Sequence, residues 1–181
     1  GYNIVGVITA PDRPAGRGQK LKQSAVKYYA QEQGLHVLQP TNLKSTDFIA
    51  QLIALKCDLQ VVVAFRMLPK VVWEIPTLGT FNLHASLLPQ YRGAAPINWA
   101  LINGENETGV TTFYIDEKID TGAIILQSKV PIFESDTAGT LNEKLMEKGR
   151  KLILKTINLI KNGSVKTSIQ IDEKEYKTAY K

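Results

Sequence analysis

Residues 59–65, Leu59-Gln60-Val61-Val62-Val63-Ala64-Phe65, are the longest apolar run in the 181-residue chain, and only Gln60 interrupts it. The run is rich in β-branched side chains and too short for a buried helix, so it predicts a strand. Its near-continuous apolarity predicts burial on both faces, as in a parallel strand covered by helices. It falls far short of the ~18 residues that a membrane span needs.

The segments around it supply the covering helices. A strand is expected over residues 3–9, followed by a loop over 11–18 whose two prolines and two glycines exclude regular structure. Ser24 caps a helix over about 25–33 that Gly34 closes. Val37 and Leu38 make a short strand, and Ser45 or Thr46 starts a second helix with Phe48, Ile49, Leu52, Ile53 and Leu55 on its apolar face. Pro69 opens a short helix. Further strands are expected over 79–84, 109–115 and 124–130, and a helix over 94–102. Residues 137–160 carry a helical stripe of Leu141, Leu145, Ile153, Ile157 and Ile160. This alternation of strand and helix predicts an α/β domain around a mostly parallel sheet flanked by helices.

Composition narrows the classes of function. The chain is 44% hydrophobic and 22% charged, which excludes disorder as its main state. Cys57 is the single cysteine, so no disulfide framework exists, and a reducing compartment suits it. The opening residues, Gly1-Tyr2-Asn3-Ile4-Val5, are strand-like and show neither an initiator Met nor a signal pattern, so the chain reads as part of a longer protein. Charge is uneven. Residues 12–27 hold Arg13, Arg17, Lys20, Lys22 and Lys27 against Asp12 alone. Residues 28–141 hold seven basic and eleven acidic side chains, and residues 142–181 hold ten and five. Basic ends around a mildly acidic middle are one footprint of a nucleic-acid partner, and equally of solvated surface lysines.

The densest candidate chemistry is Asn82-Leu83-His84-Ala85-Ser86-Leu87-Leu88-Pro89. Strand residues two apart share a face, so Asn82 and His84 point the same way at a strand's carboxyl end, where open α/β sheets bind ligands. An amide donor beside an imidazole can hold a developing oxyanion and move a proton. The same pair also suits a purely structural role at a strand end. Asp120 sits in Ile119-Asp120-Thr121-Gly122, which reads as an Asx-type turn and becomes chemical only if folding brings it to His84. Two histidines, His36 and His84, and one cysteine do not make a metal site, and His36 reads as structural. No Walker loop is present, and Gly16-Arg17-Gly18 lacks the third glycine of a dinucleotide fingerprint.

Taken together, Asn82-x-His84, Ser86-Leu87-Leu88-Pro89 and Asp120-Thr121-Gly122 resemble the formyltransferases that use formyl-tetrahydrofolate. The stretches Tyr91-Arg92-Gly93-Ala94-Ala95-Pro96-Ile97 and Glu107-Thr108-Gly109-Val110-Thr111 match the same family. The basic stretch Pro11-Asp12-Arg13-Pro14-Ala15-Gly16-Arg17-Gly18-Gln19-Lys20-Leu21 resembles the tRNA-approaching loop of the branch whose acceptor is methionyl-tRNA. The resemblance implies a Rossmann-like catalytic domain over residues 1–165, lacking the family's first strand and helix, with 166–181 a linker toward a C-terminal domain. It implies Asn82, His84 and Asp120 as the catalytic trio, and Ser86, Leu87, Leu88 and Pro89 as the folate-contacting loop. Arg13, Arg17 and Lys20 would meet tRNA. Arg66-Met67-Leu68-Pro69 departs from the Tyr-Gly form common in the family. The implied reaction is formyl transfer from 10-formyltetrahydrofolate to methionyl-tRNA in translation initiation, by a cytoplasmic monomer with no metal and no membrane partner. A sugar-nucleotide N-formyltransferase shares the trio and the Leu-Leu-Pro loop but gives no reason for the basic stretch. A non-enzymatic RNA-binding module accounts for the basic ends but not for the trio.

Overall fold

A computed structural model describes residues 1–15, 20–171 and 176–181. The chain divides into two units, one of Gly1–Leu59 with Phe65–Thr77, the other of Gln60–Ala64 with Leu78–Lys181.

In the first unit, β1 (Val7–Ile8) lies parallel to β4 (Val37–Leu38). Between them in sequence come β2 (Arg13–Ala15), β3 (Lys20–Lys22) and α1 (Ala25–Glu32). The helices α2 (Thr46–Ala54) and α3 (Lys70–Trp73) complete the unit. Ser24 caps α1 by accepting from Lys27 N at 3.1 Å, and Ser45 caps α2 by accepting from Phe48 N at 3.3 Å. Each such cap satisfies an otherwise orphaned amide and contributes about 1 kcal/mol. Gly34 ends α1 in the left-handed conformation expected of it. Leu38, Leu43, Phe48, Leu52 and Val72 form the core, with Ile8 and Leu55 packed on it.

Within the stretch expected as an irregular loop, residues 13–15 differ from their sequence reading, and residues 16–18 lie outside the described residues. Arg13 to Ala15 pair antiparallel with Lys20 to Lys22, with Pro14 opposite Leu21. A two-stranded ribbon leaves one edge of each strand unpaired, so a residue without an N–H can be placed there at no cost in ladder bonds. Asp12 anchors the base of this hairpin. It accepts from Lys27 Nζ at 2.6 Å and from Gln39 Nε2 at 2.9 Å. Lys27, with Gln39 second, holds the Asp12 carboxyl below the usual carboxylate range. Lys27 is thus buried and internally paired, while Arg13 and Lys22 stay exposed. Arg17 and the Lys20 side chain lie outside the described residues.

In the second unit, β5 (Gln60–Val63) runs parallel to β6 (Thr80–His84). Further along come β7 (Arg92–Gly93), α4 (Pro96–Ile102), β8 (Glu107–Tyr114) and β9 (Ile124–Pro131). The helix α5 (Ala138–Lys161) and β10 (Thr178–Ala179) end the chain's regular structure. The sheet order is β5-β6-β8-β9, and β8 is antiparallel to both of its neighbours. The parallel ladder therefore carries an antiparallel half, which strand-helix alternation alone does not reveal. The central strand β8 is buried almost throughout. By contrast β5 does not meet the expectation of two covered faces, because Val61 and Val63 are 41% and 51% exposed. It sits at the end of this sheet, where its apolar sequence outruns its cover.

α5 packs across β8 and β9. Thr137 and Thr140 cap it reciprocally, each side chain bonded to the other's amide. Its inward residues are Leu141, Leu145, Gly149, Leu152, Thr156 and Ile160. Ile153 and Ile157 of the expected stripe only flank this line. Thr156 replaces them inside because its hydroxyl bonds Thr112 at 2.8 Å, and Gly149 because Leu83 of β6 fills the space beside it. A Cβ at Gly149 would stand 2.6 Å from Leu83 Cδ2. Gly149→Val is therefore expected to lower stability by about 1–3 kcal/mol through overpacking, read as a lower urea midpoint at unchanged slope.

Candidate active site

β6 ends at His84, and its parallel neighbour β5 and antiparallel neighbour β8 hold it on both sides. Asn82 stands opposite Phe113 and His84 opposite Thr111. The two candidate side chains therefore share one face, as their spacing predicts. His84 is buried, with 6% of its surface exposed. Its Nε2 lies 2.8 Å from the carbonyl oxygen of Tyr91. A carbonyl only accepts, so Nε2 carries a proton. The other ring nitrogen, Nδ1, faces Asp120 Oδ2 at 3.6 Å.

Asp120 arrives from the loop between β8 and β9. Beside that loop the β8–β9 register shifts between Thr112 and Phe113, which pair with Leu126 and Ile124 and skip Ile125. Asp120 itself is left-handed, with φ 55°. Its Oδ2 accepts from Gly93 N at 2.9 Å while facing the imidazole. Gly122 is required two residues on, because a Cβ there would fall 1.7 Å from the Tyr114 carbonyl oxygen. Asp116 ties the loop's start by accepting from Thr121 Oγ1 at 2.8 Å and Lys118 N at 3.0 Å. Folding therefore brings Asp120 to His84, the condition under which the turn residue becomes chemical.

Asn82 makes the third corner. Its Oδ1 is buried and has no hydrogen-bond partner among the described residues. Leaving a buried polar atom unpaired costs about 1–3 kcal/mol, so such an atom calls for an explanation.

The loop of Ser86, Leu87, Leu88 and Pro89 leads away from His84, and its Leu88–Pro89 peptide is cis. Ser86 and Leu88 are buried. Ser86 Oγ donates to Gln90 O at 2.6 Å. Thr111 Oγ1 donates to Ser86 O at 2.6 Å and accepts from Leu88 N at 3.1 Å. Gln127 Nε2 donates to Leu88 O at 2.8 Å. Side chains of β8 and β9 thus hold the loop's shape. Leu87 and Pro89 are half-buried, and Leu87 packs beside Gly109.

Arg66, the departure from the family's pattern, donates to the carbonyl oxygens of Thr41 (3.0 Å) and Pro40 and lies 5.5 Å from the Phe65 ring centroid. Those contacts give it a structural occupation within the first unit. Among the described residues no cluster of three or more His, Cys, Asp or Glu could hold a metal ion. No helix of the described residues is long and apolar enough to cross a membrane.

Several contributors give no signal in the sequence. Tyr91 serves His84 through its carbonyl, from a left-handed backbone with φ 60°. A strained non-glycine residue of this kind persists only where its surroundings over-determine it. Here they do. Tyr91 N donates to Lys177 O at 2.6 Å. Tyr91 Oη donates to Glu105 Oε1 at 2.5 Å, and Lys177 Nζ lies 2.5 Å from the same oxygen. The bond from Lys177, with that from Tyr91 second, pulls the Glu105 carboxyl below its ordinary value, and burial pushes the Tyr91 hydroxyl up. β10 pairs parallel with β7, so the stretch read from sequence as a linker lies against Arg92 and Gly93. The periodicity of residues 166–181 carries no hint of this.

Comparison with known proteins places these features in a family. The family model described as Formyl transferase matches residues 1–157. A methionyl-tRNA formyltransferase of Flavobacterium johnsoniae is 64% identical over 180 residues, which are 99% of this chain and 57% of that protein. One of Bacteroides thetaiotaomicron is 60% identical, over 95% of this chain and 53% of that protein. The chain thus spans about half the length of the curated relatives it matches. Among solved structures, a phosphoribosylglycinamide formyltransferase from Bacillus halodurans superposes with a TM-score of 0.71 at 27% identity, over 88% of this chain and 80% of that one. A formyltransferase from Anoxybacillus kamchatkensis, in complex with a UDP-linked formamido sugar and tetrahydrofolate, gives 0.65 at 25%, over 96% and 85%.

The Glu105 carboxyl is lowered in the folded protein, so its contribution to stability is present above its ordinary value of 4.5 and is lost as pH falls through the depressed one. Lys177→Met removes the first cause of that depression. Urea unfolding at pH 7 and pH 3 is expected to show a smaller acid loss in the variant than in wild type. Equal losses would mean that the Lys177–Glu105 pair does not form.

Proposed function

The chain belongs to the formyl transferase family, and we propose that it is the catalytic part of an enzyme that formylates the α-amino group of methionyl-tRNA, with 10-formyltetrahydrofolate as donor substrate. The observation that carries the reading is the meeting of Asp120, from the loop between β8 and β9, with His84, which shares one face of β6 with Asn82. The acceptor is supported by the relatives at 58–64% identity, all named for methionyl-tRNA. The solved sugar and glycinamide-ribonucleotide formyltransferases are 23–29% identical.

Formyl transfer is acyl transfer to an amine. As the amine nitrogen bonds to the formyl carbon, the carbonyl electron pair moves to oxygen. The Asn82 carboxamide presents its N–H to that oxygen. His84 adds a proton or a positive charge beside it. Asp120 holds the imidazole and helps to take up the proton that the attacking amine loses. Breakage of the bond to the donor's nitrogen returns the electron pair there, and that nitrogen is protonated as the amide forms. The loop of residues 86–89 lies beside this site in sequence and is the reading for donor contact.

The exposed Arg13, with Arg17 and Lys20, reads as a phosphate-contacting arm on a hairpin anchored by Asp12. Residues 1–165 are read as carrying the reacting groups, and residues 166–181, which bring Gln170 and β10 to the same unit, as leading toward a further domain. The trio is assembled within one chain, which suits a monomer, and a charged-tRNA acceptor suits the cytoplasm and a place in translation initiation. A sugar-nucleotide acceptor is the second reading, favoured by the complexed Anoxybacillus structure.

Two measurements on the full-length protein test this. Asn82→Ala is expected to cut turnover on methionyl-tRNA by about 100–1000-fold, the usual cost of one oxyanion donor. A loss below about tenfold removes Asn82 from the mechanism. Affinity for tRNA is expected to fall steeply with salt. Replacing Arg13, Arg17 and Lys20 by Ala is expected to flatten the log–log slope by about one for each phosphate left without its cation. Turnover on a sugar nucleotide but not on methionyl-tRNA would select the second reading.

A further inference from the structure

Gln170 lies fifty residues beyond Asp120 in the chain, and only 8% of its surface is exposed. Its carboxamide spends all four hydrogen-bonding positions. Nε2 donates to Asp120 O at 2.9 Å and to Gly122 O at 2.8 Å. Oε1 accepts from Arg92 Nε at 3.0 Å and Arg92 Nη2 at 2.8 Å. The environment also decides which end is which. Two carbonyls can only accept and a guanidinium can only donate, so the amide has one orientation. Arg92 is held from another side by the Tyr176 ring, 5.0 Å from its guanidinium carbon.

These bonds bracket the weakest part of the site. Asp120 is a non-glycine residue in a left-handed conformation, and the carbonyls that Gln170 grips are its own and that of Gly122. Arg92, the other end of the bridge, precedes Gly93, whose N–H binds Asp120 Oδ2. One side chain therefore joins the loop that carries the carboxylate to the strand that receives it. The carboxylate's second neighbour is His84 Nδ1.

We propose that Gln170 is a positioning residue for formyl transfer, holding the Asp120 carboxylate between Gly93 N–H and His84 by bridging the Asp120 loop to Arg92. The proposal rests on the reading of Asn82, His84 and Asp120 as the reacting groups. It assigns different work to the two ends of one amide, and this makes it separable from packing. Glu at this position keeps the shape and gains an ion pair with Arg92, but turns a carboxylate oxygen toward two carbonyls. Met keeps the bulk and loses all four bonds.

The test uses the full-length protein with 10-formyltetrahydrofolate and methionyl-tRNA, each variant first checked for a cooperative melt. Gln170→Met and Gln170→Glu are both expected to lower kcat by about 10–100-fold, the scale of a small misplacement of a catalytic group. KM for either substrate should stay within about threefold, since ground-state binding is untouched. In an Asp120→Asn background, Gln170→Met should cost no further activity, because its effect runs through that carboxylate. Hydrogen exchange at Gly93 N–H should quicken in both variants, a readout that needs no turnover. Full activity in Gln170→Glu, losses that simply add to those of Asp120→Asn, or unchanged exchange at Gly93 would each overturn the proposal. If wild type fails on methionyl-tRNA while Gly93 exchange still responds to Gln170, the acceptor reading falls and the hold on Asp120 stands.

Discussion

One carboxylate oxygen organises the second unit's candidate site. Asp120 Oδ2 accepts the Gly93 amide and faces His84 Nδ1, and neither interaction survives unless Asp120 keeps its left-handed backbone. That conformation is unfavourable for any residue with a Cβ. It is held because the chain passes too close beneath Tyr114 O for anything but Gly122, because Asp116 ties the loop's start, and because Gln170 grips its carbonyls. The strain is local and the interactions that oppose it come from distant parts of the chain.

The sheet makes that arrangement possible. Antiparallel pairing of β6 with β8 sets Asn82 and His84 in register with Phe113 and Thr111. Thr111 then works twice, as a ladder residue and as the hydroxyl that shapes the turn at Ser86 and Leu88. Behind the sheet, Gly149 lets α5 approach Leu83, the residue between the two candidate catalytic side chains. Packing on one face thus bears on the strand that presents them. The Tyr91–Glu105–Lys177 bonds act on the same strand end, since Tyr91 offers its carbonyl to His84. Long-range interactions within this unit therefore converge on two short segments, residues 84–93 and 114–123.

Much of the local structure is legible in the sequence. Ser24, Ser45 and Thr137 cap helices where hydroxyl residues precede periodic apolar runs, because a cap is a bond between near neighbours. The shared face of Asn82 and His84 follows from the strand's two-residue period. The departures have equally physical sources. Prolines and glycines in residues 11–18 suggest an irregular loop, yet an unpaired ribbon edge accommodates Pro14. An apolar run suggests a strand covered on both sides, yet cover is a property of neighbours, and β5 exposes Val61 and Val63. The inward line of α5 departs from its apolar stripe, since Gly149 and Thr156 face the sheet for reasons of space and hydrogen bonding that hydrophobicity does not encode.

Chemistry at short range is written in the residues themselves: the types able to hold an oxyanion, the strand that presents two of them, the basic stretch and the alternation that specifies an α/β fold. The meeting of Asp120 with His84 is decided only in three dimensions, because 35 residues of strand, turn and helix lie between them and no period spans such a gap. The same holds for Tyr91, whose part is played by a backbone carbonyl that every residue owns, and for Gln170, whose four bonds reach residues 48 to 78 positions away. Side-chain identity belongs to sequence, whereas the convergence of backbone groups is set by how strands pair and where a loop is forced to turn.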